Sequence, residues 1–421
     1  MERTACRRKR FLFGFTSVPF PLRADGVSVR YLPILRHLAQ RHDIDLLVVS
    51  GGSEDLPRLQ ELRGLCRRIS VLPHPRCAPS GCLAKVRTYA AFLLPPTAPL
   101  SVVAHGGRSV TRRILEATKR EQYDSIVWVG ADLLPYLIAA LPSMSFAKLF
   151  VDFIDSPALW SVRGKAPIFR NRLLDRYERW KTAHWEAGVA RRADATIYIS
   201  PVDAAAAGGK AGNGAKRVVP NGINVPSMPD SGRAPLPSPN IGFLGNMGYQ
   251  PNIEAAEWLY HEIFTPLKER RPDLHLIVIG RNPSPSIRKI GDSPGVIVTG
   301  GVEDVWPYVN AVDVFLFPLL RGAGLKNKIL EAMFAGKPVL TTEIGNEGID
   351  AVPGNDFVLC RTPEDFRREA ACLLDDPGKR ERIGRSCSAF IREKFTWGPI
   401  LEEYEELVAG TVPATGAASA Q

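Results

Sequence analysis

Two doubly wound α/β domains in tandem are the fold this sequence predicts. Three observations carry the prediction. Short β-branched and aromatic runs alternate with helical stretches over most of the chain, as in a parallel sheet covered by helices. The alternation breaks once, at Ser227–Pro239 (SMPDSGRAPLPSP), which is too rich in Pro, Ser and Gly for a regular element, and then restarts. The length of 421 residues fits two domains of ordinary size.

In the first half, strands are expected at Phe11–Phe15, Ile44–Val49, Ile69–Leu72, Ser125–Val129, Leu149–Ile154 and Ala195–Ile199. Each is an apolar run short enough to be a buried parallel strand. Helices are expected between them, near Val29–Gln40, Arg108–Arg120, Leu133–Ala140 and Arg170–Ala193. Trp180 and Trp185 on the last of these read as core anchors. In the second half, strands are expected at Asn240–Leu244, Leu274–Ile279, Val296–Thr299, Val314–Phe317 and Pro338–Thr341, with helices at Ile253–Arg270, Lys328–Ala335, Pro363–Leu374 and Gly378–Phe395. The expected organisation is a first domain over 1–225, a linker over 226–239, a second domain over 240–409 and a disordered tail over 410–421. In such sheets ligands bind outside the carboxyl ends of the strands, so a cleft between two facing sheets is the expected site.

Composition removes several classes. With 45% hydrophobic and 23% charged residues the chain is neither disordered nor a disulfide-stapled miniprotein. Its long apolar runs are broken by Pro19 and Pro21, or by Pro95, Pro96 and Pro99, short of the roughly 18 residues a membrane span requires. The basic start Met1–Arg10 followed by Phe11–Phe15 lacks the length and cleavage pattern of a signal peptide. Seven cysteines without a C-x-x-C pair point to a reduced, cytoplasmic setting with neither a zinc site nor a disulfide frame.

The net charge of +10 is unevenly spread. Residues 1–225 hold 34 Lys+Arg against 18 Asp+Glu, whereas the remainder is acidic. The basic residues concentrate in Arg3–Arg10, at Arg108, Arg112 and Arg113, and along Arg163–Lys181. Solvated helix faces account for this as well as an anionic partner does. The sharper expectation is a first half that rests on the anionic inner face of a membrane or handles an anionic acceptor. Nucleic acid is not an expected partner.

Chemistry-bearing residues are densest in Val314–Thr342 (VFLFPLLRGAGLKNKILEAMFAGKPVLTT). A buried strand ends at Pro318, a loop with Gly322 and Gly324 follows, and a helix opens near Leu325. Glycines before a helix let backbone amides approach an anion, and the helix N-terminus adds partial positive charge. Lys326 and Lys328 add two full charges there, so a diphosphate is the expected ligand. Glu331, inside the helix, could accept both hydroxyls of a ribose. A strand, turn and helix with surface lysines is the plainer alternative.

This segment resembles the donor-site signature of glycosyltransferase family 4 and related GT-B glycosyltransferases. VPNGI at Val219–Ile223, IGFLG at Ile241–Gly245, LIVIG at Leu276–Gly280, VTGG at Val298–Gly301 and AVDVFLFP at Ala311–Pro318 extend the likeness. A narrower similarity, to sugar transferases of bacterial exopolysaccharide and PEP-CTERM sorting systems, rests on GNMGYQPNIEAAEWL (Gly245–Leu259), on Gly324–Met333 and more loosely on Phe20–Gly26, Leu35–His42 and Val151–Asp155. The chain departs from the family in three places. Ala323 stands where the family has a first Glu that holds the donor sugar. Asn246, Met247 and Gly248 stand where many members have Arg and Lys. IVWVGAD at Ile126–Asp132 lacks the usual first-domain His.

The resemblance implies a GT-B enzyme that transfers a sugar, with retention, from a nucleotide-diphospho-sugar to a glycan or polyprenyl-linked acceptor in cell-surface or exopolysaccharide biosynthesis. Lys326, Lys328 and Glu331 would be catalytic. Gly245, Asn246, Met247, Gly280, Arg281, Gly324 and Leu325 would bind the donor, and Gly26 and Asp155 would lie on the acceptor side. No D-x-D pair offers itself to a metal and no other cofactor is expected, so lysines and helix amides would meet the charge that builds on the departing diphosphate. A catalytically inactive GT-B scaffold that binds nucleotide or glycan is the alternative from another class, favoured by Ala323.

Overall fold

A computed structural model describes residues 7–20, 26–50, 56–73, 99, 108–131, 134–163, 171–207, 215–223, 232–322 and 324–410. The expected disordered tail beyond 410, most of the expected linker and the loop before Gly26 therefore lie outside the described residues. The chain divides into two compact units, Met1–Pro220 with Gly398–Gln421, and Asn221–Trp397.

The first unit is built on strands β1 (Arg10–Phe15), β2 (Asp43–Ser50), β3 (Arg68–Pro73), β4 (Gln122–Val129), β5 (Ser145–Ile154), β6 (Ala195–Tyr198) and β7 (Ala215–Val218). They form one parallel sheet in the order β3-β2-β1-β4-β5-β6-β7. Its core is the apolar series the strand runs announce, including Phe11, Phe13, Val127, Trp128 and Ile197, all fully buried. The second unit has β8 (Asn240–Leu244), β9 (His275–Ile279), β10 (Val296–Val298), β11 (Val314–Phe317), β12 (Val339–Thr341) and β13 (Val358–Leu359). These are again parallel, in the order β10-β9-β8-β11-β12-β13. Both sheets are the doubly wound type expected.

Several expectations change. The edge strands β7 and β13 were not foreseen, because Ala-Lys-Arg-Val and a two-residue strand carry little apolar signal; β7 is only half-buried. The expected helix Ile253–Arg270 is an α-helix (Gln250–Trp258), a π-turn (Leu259–Phe264) and a second α-helix (Thr265–Arg270). Pro266 has no N–H and its ring crowds the preceding turn, and the Thr265 N–H bonds back to Tyr260 O across the widened turn. The described part of the expected linker belongs to the second unit, held by Ala234 N to Pro307 O (2.9 Å) and Ser238 Oγ to Asp313 (2.7 Å).

The largest correction concerns Trp397–Ala409, which the domain boundary at 409 assigned to the second half. This helix packs on the first unit. Glu405 pairs with His37 (2.6 Å), Arg41 (3.0 Å) and His42 (3.1 Å), and Ser125 Oγ donates to Val408 O (2.6 Å). At the carboxyl end of β5, Asp152 binds Arg30 of the helix Gly26–Ala39 (2.9 Å) with both side chains fully buried. Arg30 also donates to Val219 O (2.9 Å), and the Tyr404 hydroxyl lies 3.5 Å from Asp152. The buried carboxylate raises the Arg30 pKa further, although burial works against the charged form.

On the helix Arg172–Ala190 the two tryptophans part company. Trp185 packs edge-on against Phe153 at 6.1 Å between ring centres. Trp180, expected in the core, is 49% exposed.

Candidate functional site

The order β10-β9-β8-β11 reverses direction between β8 and β11, so the loops after these strands diverge at their carboxyl ends, the position where open α/β sheets bind ligands. Each loop is fixed by a different device. After β8, Gly245 N donates to Ile279 O (3.0 Å), Met247 N to Arg281 O (2.9 Å) and Ser284 N to Met247 O (3.3 Å), which joins this loop to the one after β9. The join requires glycine at 280. Its φ is +152° and a Cβ there would stand 1.7 Å from Gly245 O.

After β11 the chain turns through Gly322 (φ +144°) and Gly324 (φ +71°) into the helix Asn327–Phe334. Both angles lie where side chains are disfavoured. Arg321 forks onto Glu254 through Nε (2.7 Å) and Nη2 (2.5 Å), tying this loop to the helix that follows β8. That pairing lowers the Glu254 pKa and raises that of Arg321. The Lys326 side chain does not cap the helix Asn327–Phe334; the Ile329 and Leu330 amides bond to Lys326 O, and the Asn327 and Lys328 amides before them have no acceptor within the helix.

Between the two loops stands Asn252, buried on the helix Gln250–Trp258. Its Nδ2 donates to Asn246 O (3.0 Å) and its Oδ1 accepts from Lys328 Nζ. Lys328 Nζ also lies 5.2 Å from the centre of the Phe243 ring. Burial, followed by repulsion from Lys326, pushes the Lys328 ammonium down to about 7. Lys326 is itself buried and donates to Gly324 O. Two ammonium groups are thus held close together, an arrangement that a polyanion would relieve.

Of the residues singled out from sequence, Gly245, Asn246, Gly324, Leu325, Lys326 and Lys328 come together at this switch point. Gly280 shapes it from β9. Glu331 is half-buried further along the same helix. The Met247 side chain is fully buried, so what that position can offer a ligand is its backbone. Arg281 is exposed after β9. Ala323 lies outside the described residues. Gly26 and Asp155 belong to the first unit. Gly26 opens the helix Gly26–Ala39, with nothing within 4 Å of a Cβ placed on it. Asp155 follows β5 and is half-buried.

Sequence reasoning missed Asn252 and the Arg321–Glu254 fork. The first sits in a Pro-Asn-Ile-Glu run that looks like an ordinary helix start, and the second joins residues 67 apart. Among the described residues no three His, Cys, Asp or Glu side chains cluster as metal ligands, and no helix is long and apolar enough to cross a membrane.

Residues 238–376 match the family described as glycosyl transferases group 1. An uncharacterized glycosyltransferase of Methanocaldococcus jannaschii is 27% identical over 175 residues, which is 39% of this chain and 43% of that one. A trehalose synthase of Pyrococcus horikoshii is 26% identical over 35% of this chain and 39% of that one. The matches thus span about two fifths of the relatives' own length. Over nearly the whole chain the fold is similar to sucrose-phosphate synthase from Thermosynechococcus elongatus (TM-score 0.67, 14% identity, 96% of this chain and 99% of that one). It is also similar to HepE of Anabaena, solved with UDP and glucose (TM-score 0.60, 16% identity, 96% and 100%).

Proposed function

Starting from a second unit that carries a glycosyl transferases group 1 domain in a chain of GT-B fold, we propose that this protein transfers a sugar from a nucleotide-diphospho-sugar to a glycan or polyprenyl-linked acceptor. The observation that carries the reading is the pair Lys326 and Lys328, held beside an uncapped helix start at the β8/β11 switch point. HepE, a fold neighbour, has been solved with UDP-glucose, which supports a uridine nucleotide as the first donor to try. When the bond from the anomeric carbon to the diphosphate breaks, negative charge builds on the leaving group. Lys328, Lys326 and the amides around Leu325 are arranged to meet it without a metal. Retention of configuration, a place in exopolysaccharide biosynthesis and work at the anionic inner face of a membrane complete the reading, the last drawn from the basic first half.

Incubation with labelled nucleotide-sugars and lipid-linked acceptors, with products identified by mass spectrometry, tests the proposal directly. Binding of nucleotide-sugar without transfer or hydrolysis on any acceptor would instead mark a scaffold.

Lys328→Ala should weaken nucleoside diphosphate binding by about 1.5–3 kcal/mol, the range for hydrogen bonds to charged groups. The proton inventory gives a second readout. In the free protein Lys328 titrates near 7, and a bound diphosphate favours its ammonium form. Wild type should therefore take up a proton on binding and lose affinity as pH rises above about 7. Calorimetry in buffers of different ionisation enthalpy reads that uptake, which Lys328→Ala should abolish. Equal affinity and equal uptake in the two proteins would remove Lys328 from the site.

Glu331→Gln should lower kcat/KM by roughly ten- to a hundredfold, the equivalent of one charge-assisted hydrogen bond to the donor. Its melting temperature should hardly change. Parallel losses of both would mark Glu331 as structural.

A further inference from the structure

We propose that an exposed stripe on the helix Arg172–Ala190, with Leu173 and Trp180 as its apolar contacts and Arg172 and Arg176 beside them, is the surface by which the first unit docks on an anionic lipid bilayer. The inference rests on the membrane part of the proposed reading and gives it an address. It is independent of the donor chemistry in the second unit.

Helical geometry sets the stripe. Residues 173, 176, 180 and 184 recur every three or four positions and so share one face, and all four are exposed, as is Arg172. The opposite face, including Glu178, Thr182, Glu186 and Val189, is buried against the unit. Leu173 is 75% exposed and Trp180 49%, two turns apart on the same face. The Trp180 ring stacks on Tyr177 at 5.7 Å and packs against His184 at 4.3 Å, so the indole is held by its own helix rather than by the core. On the adjoining helix Pro157–Arg163, Val162 is 57% exposed beside Arg163.

The charge fits one partner. Arg179 is taken by Asp175 (2.8 Å), whereas Arg172 and Arg176 flank the apolar residues on the solvent side, in a half-chain with a large excess of Lys and Arg. Leucine and tryptophan beside arginine is the composition of a helix that lies in the headgroup region, where the ring and aliphatic chain enter the acyl boundary and the guanidinium groups meet lipid phosphates. Position agrees as well. The helix runs back toward the amino end of β6; its Trp185 and Glu186 meet Phe153, Ser156 and Tyr198 at the carboxyl ends of β5 and β6, so its earlier turns project beyond that edge, the side on which an acceptor is expected. Attachment by this stripe would be peripheral, reversible and sensitive to salt.

The test uses the full chain and sedimentation with vesicles of phosphatidylcholine, alone or mixed with phosphatidylglycerol, and needs neither donor nor acceptor. Wild type should sediment with the anionic vesicles at low salt and be released at high salt. Arg172→Glu with Arg176→Glu should lower partitioning by about tenfold or more, given roughly 1 kcal/mol per basic residue near the surface. Leu173→Ser with Trp180→Ala should lower it similarly. Arg382→Glu with Arg385→Glu, in the second unit, should leave it unchanged. All six substitutions are at exposed positions, and unaltered thermal unfolding would confirm that each variant folds. Trp180→Phe should keep partitioning but remove a vesicle-induced blue shift of the indole emission. The proposal is overturned if wild type fails to bind anionic vesicles at low salt, or if the two stripe variants bind like wild type. It is equally overturned if Trp180→Ala abolishes binding of a soluble oligosaccharide and leaves vesicle binding intact, since the stripe is then a sugar-stacking platform. Nucleotide binding measured on the same variants separates failure here from failure of the transferase reading.

Discussion

Asp152→Ala is expected to destabilise the first unit by about 3–5 kcal/mol, because it strands the Arg30 guanidinium in the core without its counter-charge. Both side chains are fully buried, so water cannot replace the lost partner. The Val219 and Pro220 carbonyls and the Tyr31 and Tyr404 rings also meet Arg30, and they hold the guanidinium without neutralising its charge. Chemical denaturation of wild type and variant measures the effect. Arg30→Met combined with Asp152→Leu should recover most of the loss, since an apolar pair of similar volume removes the charge along with its partner. If the double variant is as unstable as the sum of the single ones, the pair is worth more than its packing, and the polar contacts of the cluster are what the fold requires.

Gly280→Ala is the second large effect, and it strikes the candidate site. The added methyl would enter the space of Gly245 O at 1.7 Å, on backbone with φ +152°. Overpacking against backbone costs about 1–3 kcal/mol, and an unfavourable positive φ adds about 1–2 kcal/mol. The loops after β8 and β9 would have to part, breaking the bonds Gly245 N to Ile279 O and Met247 N to Arg281 O. Asn246 O, which positions Asn252 and through it Lys328, moves with them. A loss of about 3 kcal/mol in stability of the second unit, accompanied by loss of nucleotide binding, is expected from unfolding curves and calorimetry. Gly232→Ala, at a glycine with nothing within 4 Å of its would-be Cβ, should stay within about 0.5 kcal/mol of wild type.

What could be seen in the sequence follows the strength of local signals. Central strands such as β1, β4 and β11 are continuous apolar runs, and buried parallel strands are the elements that such runs specify best. The glycines and lysines of the loop after β11 were visible because Gly-x-Gly followed by two lysines at a helix start is a local chemical pattern. Arg30 escaped notice because an arginine in isolation reads as surface, although it lies at helical spacing from Ile34 and Leu38, both buried. Its partner is 122 residues away, and nothing in either neighbourhood announces the other. Trp180 failed in the opposite sense. Tryptophan in a helix suggests a core position, and only its placement opposite Glu178 and Thr182 turns it outward. The allegiance of Trp397–Ala409 was hidden for a topological reason, since an amphipathic helix shows which of its faces is apolar but not which sheet will cover it.

The return of that last helix has a consequence for how the protein is made. The second unit is one unbroken stretch, Asn221–Trp397, whereas the first is assembled from both ends of the chain. Tyr404 reaches Asp152 across 252 residues and Val408 receives Ser125 across 283. During synthesis the first unit therefore emerges from the ribosome first and is completed last, waiting with the helix Gly26–Ala39 uncovered while the whole of the second unit is translated and folds. Contacts of such long range form slowly. The interval before closure is the period in which a nascent first unit is most open to chaperones, proteases and self-association, and it ends only when the helix Trp397–Ala409 is released.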